Sequence, residues 1–144
     1  MKKVFKILIL AFALFTLTGC TKELVAIPEN KFISTFKDKK DYKLINNTNT
    51  SQGIFEKSYE MGNGNVSFYY LEFSSKKKAN EYMKLSYDSK SFNYRKKANY
   101  IIAKKKLSKI YIKAIKVDNI IIIGMGNKFK DRFEVNKIFR NFNM

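Results

Sequence analysis

The sequence predicts an α+β fold: antiparallel sheet or sheets with helices packed on one face, built from two αβββ units and closed by a C-terminal helix. Three observations predict it. Aromatic and β-branched residues fall in short runs separated by turn residues, which is the pattern of strands and hairpins. Stretches with helical spacing stand before each set of runs and again at the end of the chain. The order helix, three strands recurs across 28–73 and 74–126, followed by a closing helix over 128–142, so the repeat rests on element order and not on residue identity.

Taken in order, Pro28 to Lys37 reads as a short helix. Proline suits a first helical turn, and Phe32, Ile33 and Phe36 share a face. Tyr42 to Ile45 reads as a strand, and the polar stretch 46–52 as a loop. Ile54 to Met61 alternates, with Phe55, Tyr59 and Met61 on one side and Glu56, Ser58 and Glu60 on the other. Gly62-Asn63-Gly64-Asn65 is a turn, and Val66 to Phe73 is a β-rich, aromatic strand. Ser74 or Ser75 caps a helix that runs to about Tyr87, with Ala79, Tyr82, Met83 and Ser86 as its inner stripe. Strands follow at 99–103 and 109–117. Asp118-Asn119 turns the chain into Ile120-Ile121-Ile122-Ile123, an unbroken apolar run expected at the sheet centre. The last helix is expected to bury Phe129, Phe133, Val135, Ile138, Phe139 and Phe142.

Composition supports one folded domain over 28–144. The chain has 144 residues, 45% of them hydrophobic, with thirteen Phe and nine Tyr. That is enough apolar material for a core. Its charge is lopsided, with 29 bases, 12 acids and a net +17. A field of that sign attracts polyanions and anionic surfaces. The joint enrichment in Lys, Asn, Ile, Phe and Tyr also follows from biased nucleotide composition, so charge alone names no ligand.

Several chemistries are disfavoured. There is no histidine, which removes the commonest general base and metal ligand. The single cysteine allows no intramolecular disulfide. No metal or cofactor site is expected, because Asp38 and Asp41 stand alone among lysines and no calcium-loop pattern is present. No catalytic residues are assigned. Glu56 and Glu60, with Glu72 or Glu81, are the only carboxylates considered for acid–base work, and they read as solvated strand charges. Ser75 stands three before Lys78, but serves better as a helix cap. Gly124-Met125-Gly126 lacks the Lys-Ser or Lys-Thr of a phosphate loop.

The N-terminus reads as an address. Lys2, Lys3 and Lys6 precede an apolar stretch, Ile7 to Leu17, too short for a spanning helix. Leu17-Thr18-Gly19-Cys20 then resembles the lipobox of bacterial lipoproteins. That resemblance covers the first twenty residues and implies a signal peptide over 1–19, cleavage between Gly19 and Cys20, and a diacylglyceryl thioether on Cys20, often with acylation of the new amino group. Two or three acyl chains give stable anchoring where one holds marginally. Residues 20–27 would form a short tether. Removing the three lysines before Cys20 leaves +14 on the mature part.

The basic runs are the remaining functional signal: Lys37-Asp38-Lys39-Lys40, Lys76-Lys77-Lys78, Arg95-Lys96-Lys97 and Lys104-Lys105-Lys106. They are expected near helix ends and turns. If they converge, Arg95, Lys96, Lys97, Lys104, Lys105 and Lys106 form a face for anionic lipid or wall polymer. If they scatter, they are a solvated rim. The functional expectation is a membrane-anchored extracytoplasmic lipoprotein with a non-enzymatic binding domain, its partners the membrane through lipid on Cys20 and anionic lipid or wall polymer. One alternative is a protein-interaction or immunity-type factor that binds another envelope protein. A small carboxylate-dependent hydrolase is a distant second alternative, and export argues against nucleic acid.

Overall fold

The computed structural model describes residues 23–144 except Ser51, Ser89, Ala98, Leu107 and Ser108, and for Lys106 the backbone alone. The expectations for the signal segment and Cys20 lie outside the described residues.

Seven strands form one open, wholly antiparallel sheet: β1 Lys43–Asn46, β2 Lys57–Gly62, β3 Val66–Glu72, β4 Asn93–Lys96, β5 Tyr100–Lys106, β6 Tyr111–Val117 and β7 Ile120–Gly126, in the spatial order β1-β2-β3-β7-β6-β5-β4. Two meanders therefore meet where β3 pairs β7, with Tyr70 opposite Ile122. Among the described residues three α-helices accompany the sheet: α1 Glu29–Ser34, α2 Lys76–Ser86 and α3 Arg132–Asn141. The α+β class and the closing helix are as the sequence predicts.

The turns use local chemistry. Asn63 accepts hydrogen bonds from the backbone of Asn65 and Val66 with its side-chain oxygen, each at 3.0 Å. Gly64 follows it at φ +83°, in the left-handed region where glycine carries no steric penalty. Asn119 binds Phe73 in both directions: its carbonyl accepts from the Phe73 N–H at 2.9 Å, and its amide donates to the Phe73 carbonyl at 2.8 Å. The β6–β7 hairpin is thereby fastened to the end of β3. Ser75 caps α2 by accepting from the Lys78 N–H at 3.2 Å. This is the capping role read from the sequence, and it occupies the serine of the Ser75–Lys78 pair.

The helices lie on both faces of the sheet, which corrects the one-face expectation. Along β7, Ile120 and Ile122 join one apolar cluster while Ile121 and Ile123 join the other. Successive strand residues point to opposite faces, so the two clusters are the two sides of the sheet. α1 and α3 contribute Phe32, Val135, Ile138 and Phe139 to the first. α2 contributes Ala79 and Met83 to the second. The two-unit reading also meets a difference: the second stretch holds four strands, because Asn93–Lys96 adds an edge strand. Moreover, antiparallel pairing of β3 with β7 relates two halves only by an axis normal to the sheet, which would leave α1 and α2 on the same face.

The first cluster is aromatic. Phe32, Phe68, Phe139 and Phe142 are fully buried, with ring centroids 5.9 Å apart for Phe32 and Phe142 and 6.3 Å for Phe68 and Phe139. Truncating one such residue to Ala costs about 3–5 kcal/mol. Two expected core residues are not in it. Phe133 is 66% exposed and Phe129 half-buried. A 3₁₀ turn over Phe129–Asp131 precedes α3 and turns these rings outward, where they flank the Arg132 guanidinium at 4.0 and 4.5 Å. Phe55 also departs from its expected side. It precedes β2 and packs on Phe73 and Tyr82 of the second cluster, away from Tyr59 and Met61.

Both edges of the sheet are short, and β4 is polar while β1 exposes Leu44 and Ile45. The β1 strand is exposed throughout, and β4 carries Asn93, Arg95 and Lys96, all exposed.

Candidate functional site

Two of the basic runs sit where the sequence puts them, Lys37 to Lys40 in the turns after α1 and Lys76 to Lys78 in the first turn of α2, whereas the other two lie largely in strands. Lys104-Lys105-Lys106 continue β5, pairing with Lys113, Ile112 and Tyr111 of β6. Arg95 and Lys96 lie in β4. Strand alternation therefore divides each run between the two faces. Tyr94 and Ala103 belong to the α2 side, so their neighbours Arg95 and Lys104 project to the α3 side. Lys105 goes the other way, its ammonium 5.1 Å from the Phe92 ring centroid. Lys97 is exposed in the β4–β5 turn, where its N–H donates to the Tyr100 carbonyl at 2.9 Å. The side chain of Lys106 lies outside the described residues. Of the predicted residues, Arg95, Lys104 and Lys105 line one cavity, while Lys97 stands apart in the turn.

Two groupings appear. The first is a cleft between α3 and strands β4 to β6. Arg95, Lys104, Tyr111, Arg132 and Asn136 line a cavity of about 640 Å³. Beyond Asn136, which lines both, lies a second cavity of about 720 Å³ with Lys39, Lys113, Lys137 and Arg140 on its walls. Asn136 is set in place by the Tyr111 hydroxyl, which donates to its side-chain oxygen at 3.2 Å.

Lys113 is the unusual member. Its position on β6 places it under α3, between the buried Tyr111 and Ile115 of the same face. It is 6% exposed, and its ammonium sits 4.2 Å from the centre of the Phe139 ring. Among the described residues no carboxylate pairs with it. Burial is the chief cause that pushes its pKa down to about 8, and the charges of Lys104 and Arg140 act in the same direction. The one carboxylate on the cavity wall, Glu134, is engaged by the Tyr42 hydroxyl, which donates to it at 2.5 Å. Burial and this carboxylate together push the Tyr42 phenol well above its ordinary range.

The second grouping lies at the end of the sheet where residue 24 joins the domain. The Leu24 carbonyl accepts from the Asn99 side-chain amide at 2.7 Å, and the Leu24 N–H donates back to Asn99 at 3.4 Å. Asn99 stands directly after the turn that bears Lys97. Nearby on the α2 side, Lys116 is 6% exposed. Its pKa is lowered first by burial and then by Lys76 and Lys96, against the opposing pull of Asp118. Lys76 is paired with Asp118 at 2.6 Å.

The carboxylates considered from the sequence do not converge. Glu60 accepts from the Tyr69 hydroxyl at 3.2 Å on the α2 side. Glu72 accepts from the Tyr70 hydroxyl at 3.1 Å on the opposite side. Sequence reasoning missed a different network there: Lys57 lies 2.7 Å from Glu29 and 3.9 Å from Glu72. Hydrogen bonds from Lys57 and then Tyr59 hold the Glu29 carboxyl below its usual range. These residues stand beside an open groove of about 1070 Å³ between α1 and strands β1 and β2, with Ile33, Phe36 and Met61 among its walls. A solvent-exposed network of this kind contributes little to stability. Nothing in the spacing of Glu29, Lys57 and Glu72 announces it, because only the sheet register brings them together.

The Gly124-Met125-Gly126 segment ends β7. A Cβ on Gly124 would stand 2.7 Å from Val135, 2.8 Å from Phe139 and 3.0 Å from Phe68. Glycine here lets α3 approach the sheet, which accounts for the motif without a phosphate. Among the described residues no three His, Cys, Asp or Glu gather as metal ligands, and no helix is long and apolar enough to cross a membrane.

No family model matches the chain, and no curated protein matches it. Among solved structures, a GTP binding regulator from Thermotoga maritima is similar in fold. It is 17% identical with a TM-score of 0.52, and the match covers 78% of this chain and 85% of the other. Similarity at that identity is one of fold and carries no chemistry across.

Proposed function

We propose that the protein is a lipid-anchored extracytoplasmic binding domain without catalytic activity, held at the membrane through Cys20 and carrying a basic surface for anionic envelope components. The observation that carries this reading is the attachment of Leu24 to Asn99, next to Lys96 and Lys97. Only three residues separate Cys20 from Leu24. A chain extends at most about 3.5 Å per residue, so acyl chains on Cys20 would lie within roughly 14 Å of that attachment. The β4–β5 turn would then face the headgroups. Each lysine near an anionic surface contributes about 1 kcal/mol to such contact. The anchor supplies residence, and the lysines supply orientation.

The reading is tested with the full chain in a bacterial host. The wild type should pellet with membranes, resist carbonate washing and carry a diacylglyceryl mass on its N-terminal peptide. Cys20→Ser should remain unprocessed and lose that mass. A Cys20→Ser product that matures at the same bond and stays in the washed pellet overturns the anchor.

A further inference from the structure

We propose that the cleft between α3 and strands β5 and β6 is a phosphate-binding site centred on the Lys113 ammonium, and that its natural ligand is a phosphodiester polymer that places successive phosphates on either side of Asn136. This deepens the basic-surface reading above and rests on it for the identity of the polymer.

The Lys113 ammonium has no carboxylate partner among the described residues. Lys113 is almost wholly buried. Removing a charge from water without a partner is costly. Among the described residues its close partner is the Phe139 ring, 4.2 Å away, and the ammonium tip otherwise meets only the solvent of the cavity. The charges that act on it most are further cations, Lys104 from β5 and Arg140 from α3. A bound oxyanion would supply the missing counter-charge. Guanidinium groups add planar donors matched to phosphate oxygens, and Arg132 and Arg140 flank the cleft at its two ends.

The form of the cleft points to more than one phosphate. Its two cavities share Asn136 and each is lined by cations, with one carboxylate, Glu134, that is already bonded to Tyr42. A single small anion would fill one side only. Lipid headgroups fit less well, because the cleft shares the α3 face with Leu24 but lies away from the end of the sheet at which Leu24 is held. Lys104 is four residues along β5 from Tyr100, or about 13 Å from the end at which Leu24 is held.

The test uses the full lipidated chain in neutral detergent micelles. The probes are inorganic phosphate, a glycerol-phosphate oligomer and vesicles of phosphatidylglycerol. Calorimetry gives affinity, and the ¹⁵N resonance of the Lys113 side chain reports occupancy. Phosphate is expected to shift that resonance, and the oligomer to bind at least tenfold more tightly than phosphate. Lys113→Met and, separately, Arg140→Gln should each weaken oligomer binding at least tenfold while leaving the circular dichroism spectrum unchanged. An unmoved Lys113 resonance at saturating phosphate overturns the site. Vesicle binding that depends on Lys113, with no binding of the oligomer, overturns the polymer assignment. Anchoring through Cys20 is read separately by pelleting, so either idea can fail without the other.

Discussion

Replacing Lys113 by Met should stabilise the protein at neutral pH and do so less as pH rises. The substitution keeps the length of the side chain and removes its charge. In the folded chain the Lys113 pKa falls from 10.5 to about 8, chiefly through burial and further through Lys104 on β5 and Arg140 on α3. Lys39, Lys137 and the Tyr42-bonded Glu134 complete the charged groups on the same cavity. That fall is a penalty on the charged form of about 3 kcal/mol. Below pH 8 the residue is protonated in both states, so the fold bears the whole penalty. Between pH 8 and 10.5 the folded state releases its proton while the unfolded state keeps it, and stability rises with pH. About 2 kcal/mol should be recovered by pH 9.5. Met also loses the contact of the cation with Phe139, worth up to about 2 kcal/mol for a desolvated pair. The net gain expected at pH 7 is therefore about 1–3 kcal/mol. Urea unfolding of both proteins from pH 7 to 9.5 in oxyanion-free buffer measures it, and the difference between the two curves removes the tyrosines, which titrate alike in both. A variant less stable at pH 7, or a difference that does not shrink towards pH 9.5, refutes the reasoning.

Two further substitutions probe the packing and the tether. Gly124→Ala should destabilise by about 1–3 kcal/mol through overpacking, since the added carbon would stand under 3 Å from Val135 and Phe139; urea unfolding reads it, and a neutral result means α3 can move outward freely. Asn99→Ala should leave overall stability within about 1 kcal/mol but speed amide exchange at Leu24 several-fold, because that N–H and its carbonyl lose their partner; unchanged exchange at Leu24 shows that the segment is held by packing instead.

Much of the sheet was legible in the sequence, and one signal in it carried more than was taken from it. Ile120 to Ile123 read as a central strand, and β7 is buried along both faces. An unbroken apolar run demands cover on both sides, and the cover on the second side is α2. β4 was missed because Asn93-Tyr94-Arg95-Lys96 holds one apolar residue, and an edge strand needs few. Lys104 to Lys106 carry no apolar signal, so the sequence ends the strand at Ala103, whereas β5 runs on to Lys106. Lys113 was hidden more thoroughly. Alternation places Lys113 on one face with Tyr111 and Ile115, as the structure does, but both faces of the strand are apolar, so the pattern does not say that this lysine is covered. Only the position of α3 over β6 makes it buried. The cleft was illegible because its cations come from separate strands and a helix, and register brings them together.

Among the described residues the sheet does not close on itself, and the outward N–H and C=O groups of β1 and β4 face no neighbouring strand. Molecules confined to a surface meet one another far more often than molecules in bulk, and unpaired borders of this sort invite copies to zip together. Here one border is only four residues long and begins with Lys43, and the other ends in Arg95 and Lys96. Like charges on approaching copies repel, so brevity and basicity at these margins oppose such zipping, against the pull of the exposed Leu44 and Ile45 on β1.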